Sequence, residues 1–161
     1  MFLRLYKQYV RPHLEFAVPA WSPWTVTDSE CLERVQIKAV KMVSGLRGKT
    51  YDERLEELNL PTLAARREEF DMVQTYKILH GVDNVEAKQW FVLAGENGSA
   101  GIRTRQQADE LNILPSYGRT ELRSNFFSVR VVKEWNSLPG ELKRAKNVKQ
   151  FKIKLRQLRK T

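Results

Sequence analysis

The sequence predicts an all-α fold: a bundle-like single domain over residues 1–161, with about six or seven helices and one long Gly/Ser-rich loop. Three observations carry this. Apolar residues recur every three or four positions in stretch after stretch, the spacing of a helix with one buried face. Helix-start signatures precede several of these stretches: Thr27 with Glu30, Thr50 with Glu53, Thr62, and Asn147 with Gln150. Glycines and prolines stand where those helices should stop, at Gly45, Gly48, Pro61, Gly81 and Pro139. At 161 residues the chain is long enough to bury a core.

Residues 2–10 place Phe2, Leu5, Tyr6 and Tyr9 on one side of a short helix, which Pro12 should end or kink. So apolar a start, with no preceding loop, is expected of a chain that begins inside a larger unit. Trp21-Ser-Pro-Trp24 reads as an aromatic corner clamping a loop onto a core. The helix capped by Thr27 should run to about Ser44, with Leu32, Val35, Ala39, Met42 and Val43 facing inward. Tyr51–Leu58 forms the next helix. The longest runs from Thr62 to about His80, its early Arg66, Arg67, Glu68 and Glu69 making a solvated mixed-charge face. Trp90-Phe91 is a second aromatic anchor after the Gly81 turn.

Residues 94–110, AGENGSAGIRTRQQADE, have no apolar period and read as a mobile loop. Leu111 to Tyr117 is a short extended piece. Phe126 to Pro139, FFSVRVVKEWNSLP, is the densest apolar-aromatic stretch; Phe127, Val131 and Trp135 recur every four residues. A face so wide is usually buried in a core, with Arg123, Arg130 and Lys133 on the opposite side; the competing reading of its aromatics is a base-stacking platform for nucleic acid. A short helix capped by Ser137 should follow through Leu142. The tail over 143–161 reads as a basic C-terminal helix with Val148, Phe151, Leu155 and Leu158 on one stripe and its charges outward.

Charge placement is the main functional signal. The net +9 arises in the last third: residues 101–161 hold fifteen basic and five acidic groups, while the rest nearly balance. A field so localised suits a polyanion such as RNA or single-stranded DNA, ahead of an anionic membrane surface; a solvated tail that aids solubility is the bland alternative. Cys31, the sole cysteine, has no partner for a disulfide or a zinc cluster and reads as a buried reduced thiol. His13 and His80 are far apart and read as structural. No apolar run reaches membrane-span length, and the N-terminus lacks a signal-peptide core. An intracellular location, nucleus or cytoplasm, is therefore expected.

The order of blocks carries a resemblance. LYKQYVRPHLEFAVPAWSPW is followed by LERVQIKAVKMVSGL and YDERLEELNLPTLAARREEFDMVQTYKILHG, then Thr104-Arg105, FFSVRVVKEWNSLP and FKIKL. From about Leu5 to Leu158 this succession resembles the region downstream of the polymerase palm in reverse transcriptases of jockey-like, LINE-class non-LTR retrotransposons. Each block is moderately specific; their order and spacing are strongly so. The resemblance implies a thumb-and-beyond region that clamps template and primer or the element's own RNA. It also implies a palm elsewhere, because the paired aspartates that hold two catalytic metals have no counterpart here. Asp28, Asp52, Asp71, Asp83 and Asp109 fall on different elements.

The expectation is therefore a non-catalytic nucleic-acid-binding chain, with no catalytic residue, metal or cofactor. Phosphate contacts are expected from Arg103, Arg105, Arg119, Arg123, Arg130, Lys133, Lys149, Lys152 and Arg156. The alternative is a helical protein-interaction module whose apolar start and tryptophan corner bind the missing palm or a second copy.

Overall fold

The fold was taken from a computed structural model, which describes residues 2–95, 109–116 and 118–159. Among these residues the structure is all-α, with one isolated antiparallel bridge between Leu93 and Ile113. The chain divides into two compact units, Met1–Phe70 and Asp71–Thr161.

In the first unit, α1 (Phe2–Leu5) passes through a π-turn (Tyr6–Val10) into α2 (Arg11–Glu15). Pro12 explains the π-turn. Proline has no N–H to donate and its ring crowds the carbonyl four residues back. Widening the turn before it lets Arg11 N–H bond Tyr6 O, and the chain stays helical through Pro12. The expected break comes later, at Phe16, where the backbone becomes extended. α3 (Val18–Trp21) then leads to α4 (Val26–Lys41).

Thr25, not Thr27, caps α4: its Oγ1 accepts the Asp28 N–H at 3.1 Å. Both threonines have an acidic residue three positions on, so spacing alone could not choose. The buried face of α4 also differs from the expected one. Gln36, Ala39 and Val40 are buried, while Val35, Met42 and Cys31 are exposed. A polar residue causes the rotation. Gln36 lies wholly inside, accepting from Tyr6 Oη at 2.8 Å and donating to Tyr51 Oη and the Pro61 carbonyl, both at 3.0 Å. An apolar count cannot anticipate that register.

α5 (Tyr51–Glu57) begins with the expected capping box between Thr50 and Glu53. Val40, Leu55 and Leu60 form a small core with Leu3, Tyr51 and Leu58 against it. Glu33 then receives the Tyr51 hydroxyl and the Leu63 N–H, the latter at 3.0 and 3.1 Å, placing a carboxylate at the start of α6 (Leu63–Leu79). The expected solvated charge face at the start of α6 holds for Glu68, which is exposed, but not for the two arginines. Arg66 forks onto Glu15, and Arg67 is buried with Nη2 on Ser29 Oγ at 2.6 Å. The tryptophan corner does not close over: Trp21 is partly exposed and Trp24 more than half exposed.

The boundary between the units falls within α6. In the second unit α6 ends at Gly81, whose φ of +62° suits glycine. A single 3₁₀ turn (Ala87–Gln89) follows. α7 (Glu121–Ser124) is one turn capped by Thr120. Gly118 packs so tightly on it that a Cβ there would sit 2.5 Å from Ser124 N. α8 (Phe127–Ser137) is the centre of this unit. As expected, Phe127, Val131, Val132 and Trp135 are buried, and the Trp135 indole donates to Leu111 O at 2.9 Å. Met72, Tyr76, Phe91, Ile113, Phe151 and Leu155 complete the core.

α9 (Gly140–Lys143) starts after Pro139 without a side-chain cap; Ser137 instead belongs to α8 and bonds back to Glu134 O. α10 (Val148–Leu158) is capped by Asn147, whose Oδ1 accepts Gln150 N–H at 2.8 Å. Of the basic C-terminal helix expected over 143–161, the described residues 143–159 form the end of α9, a turn, and α10. Residues 96–108 of the expected 94–110 loop lie outside the described residues.

Candidate nucleic-acid interface

α10 presents the clearest basic surface. Phe151 and Leu155 dock into the core. At 100° per residue, Lys149, Lys152 and Arg156 then share one flank of the helix within about 60° of one another. Lys149 and Arg156 are exposed and Lys152 half-buried. Lys154 takes the opposite flank, beside a shallow groove lined by Pro139, Glu141, Leu142, Gln157 and Leu158. No acidic residue occurs in α10.

Arg119, Arg123 and Lys133 are exposed, as an outward edge requires. Arg103 and Arg105 lie outside the described residues. Arg130 is not an outward contact. Its Nε and Nη2 fork onto the two oxygens of Asp71 at 2.9 and 3.0 Å, and Nη1 donates to Asn125 O at 2.9 Å. The Asp71 side chain is largely buried, so the guanidinium is committed to holding α6 and α8 together.

Lys143 is a second departure. The charges of the 143–161 stretch are expected to face outward, yet Lys143 is 1% exposed. Its ammonium donates to Asn112 Oδ1 at 2.6 Å and Asn136 O at 3.3 Å, with Asp109 3.9 Å away. Burial pushes its pKa below the ordinary lysine value, with Asp109 opposing. His80 is structural, its ring stacked on Tyr76 at 4.2 Å and its Nε2 within 2.8 Å of Lys143 O.

One arrangement escaped the sequence reading. The chain has two aromatic doublets, Trp90-Phe91 and Phe126-Phe127. Their second members, Phe91 and Phe127, meet edge-to-face at 5.9 Å inside the core. Their first members meet outside: Trp90, 37% exposed, lies parallel to Phe126, 42% exposed, at 6.1 Å and 4°. The Arg123 guanidinium sits over Phe126, 5.2 Å from its centroid. The doublets were the available signal, since adjacent side chains diverge and here the second ring of each pair enters the core while the first stays outside.

Four of the five aspartates have structural partners. Asp28 bonds the Thr25 hydroxyl, Asp71 pairs with Arg130, Asp83 receives Gln74 and Lys77, and Asp109 binds Arg144 at 2.6 Å. Among the described residues no group of three or more His, Cys, Asp or Glu side chains is placed to hold a metal ion. Nor is any helix among them long and apolar enough to cross a membrane. Comparison with protein-family models, with curated proteins and with solved structures found no match.

Proposed function

We propose that this chain is the non-catalytic, post-palm portion of a non-LTR retrotransposon reverse transcriptase, or a domesticated descendant of one. It contributes sequence-tolerant binding of RNA or single-stranded DNA. The observation that carries the binding is the flank of α10: Lys149, Lys152 and Arg156 on one side of a helix whose other side is fixed in a core. A phosphate backbone laid there releases its counterions to three cations held in register. Exposed Arg119, Arg123 and Lys133 extend the basic surface of the same unit. The attribution to the retrotransposon family rests on the order of sequence blocks.

The test is the salt dependence of oligonucleotide affinity. Wild type should bind oligo(U) or oligo(dT) with log K falling linearly against log salt. Reversing charge at Lys149, Lys152 and Arg156 should flatten that slope by about 2 on single strands. A salt-independent affinity, or no binding at low salt, overturns the reading.

One observation favours a second reading, the protein-interaction module. Tyr9, Phe16, Trp21 and Trp24 leave substantial aromatic area exposed in the first unit. A concentration-dependent oligomer in sedimentation, with no nucleic-acid binding, would select it.

A further inference from the structure

Two exposed, parallel aromatic rings, one of them under an arginine, are an unusual use of surface. Phe91 and Phe127 already close the core beneath, so Trp90 and Phe126 are not needed there. They instead lie parallel to each other, with the Arg123 guanidinium over the Phe126 ring. Phe126 directly precedes α8, and Gly118 packs closely on α7, the turn that bears Arg123. Glu121 lies two residues from Arg123 on the other side of the single turn. The stack therefore joins π-surface to net positive charge.

We propose that the Arg123–Phe126–Trp90 stack takes a nucleobase of single-stranded RNA or DNA. It rests on the nucleic-acid reading above and deepens it by adding base contacts to phosphate contacts. Every base has a π-face, so such a platform grips without reading sequence. The guanidinium serves twice: its plane stacks on a base and its N–H groups reach the adjacent phosphate. A protein segment could use the rings but has no regular anion beside each flat group. The charge of Arg119 and Arg123 therefore favours the nucleotide.

The experiment compares oligo(dT) with an abasic oligonucleotide of the same length, which keeps the phosphates and removes the bases. Wild type should bind oligo(dT) about ten-fold tighter than the abasic strand, the range of one or two stacked bases. Phe126→Leu, which keeps apolar bulk and removes the ring, should abolish that preference and leave abasic binding unchanged. Phe126→Tyr should retain it. The Lys149, Lys152 and Arg156 reversals should weaken both ligands together. Equal, salt-dependent binding of both strands by wild type overturns the stack and leaves the phosphate reading standing. Loss of both ligands in Phe126→Leu also overturns it, because the ring is then structural. Binding of neither ligand at low salt overturns both readings.

Discussion

Lys143, Arg130 and Tyr6 are side chains whose roles depend on partners far along the chain. Lys143→Met keeps the aliphatic stem but removes the donor to Asn112 and Asn136, and should cost ~1–3 kcal/mol in chemical denaturation. Its lowered pKa means the fold disfavours the charged form, so the unfolded chain binds the proton more tightly. Wild type should accordingly gain stability relative to Lys143→Met as pH rises toward the ordinary lysine value. Asp71→Ala leaves the Arg130 guanidinium unpaired by its carboxylate and should cost about 3 kcal/mol; Arg130→Lys, lacking the fork, should not restore the wild-type midpoint. Tyr6 behaves oppositely to Lys143. Burial pushes its hydroxyl up to about 12, so its contribution is intact below pH 10 and disappears as pH climbs from 10 through 12. The loss should be on the order of 2–3 kcal/mol, read as a falling denaturation midpoint that Tyr6→Phe flattens. None of these pairings was legible in sequence. Arg130 and Asp71 are 59 residues apart, and a lysine in a basic tail looks the same on paper whether buried or exposed.

Elements were far more legible. The Thr50–Glu53 and Asn147–Gln150 caps, the Gly81 stop and the inward stripe of α8 all follow from local spacing, and the structure has them. Trp135 should therefore be the costliest position in α8. It is fully buried and its indole holds Leu111 O, so Trp135→Ala should cost about 3–5 kcal/mol by urea unfolding. Asn147→Ala should cost ~1 kcal/mol and fray the first turn of α10, measurable as faster amide exchange there. Where element reading erred, a non-local polar group decided the register. Gln36 turned α4 so that Cys31 and Met42 face solvent. Of the two outcomes expected at Pro12, an end or a kink, the helix does not end there but widens into a π-turn before it.

At the scale of the molecule, the all-α class was legible because each helix carries its own periodicity and stops. The basic surface was half legible. Composition located the charge in the last third, and helix spacing grouped Lys149, Lys152 and Arg156. It could not separate Arg130 and Lys143, which are spent on the fold, from the outward cations. Nor could it pair Trp90 with Phe126, 36 residues apart in the chain. If the proposed surface holds a nucleic acid, ligand linkage should stabilise the folded chain. A single-stranded oligonucleotide at about 100 times its Kd should add ~2.7 kcal/mol, seen as a raised melting temperature that relaxes with added salt.

The rotation of α4 has a practical consequence. It leaves the chain's sole thiol, Cys31, on the solvent side. Two molecules in an oxidising buffer can cross-link there, and the covalent pair would sediment as a dimer however the tryptophan corner behaves. Any assay of self-association needs a reductant, or Cys31→Ser, before mass is assigned to a surface. The same exposure makes Cys31 a one-site attachment point for a maleimide dye, in the unit that carries no part of the proposed base stack.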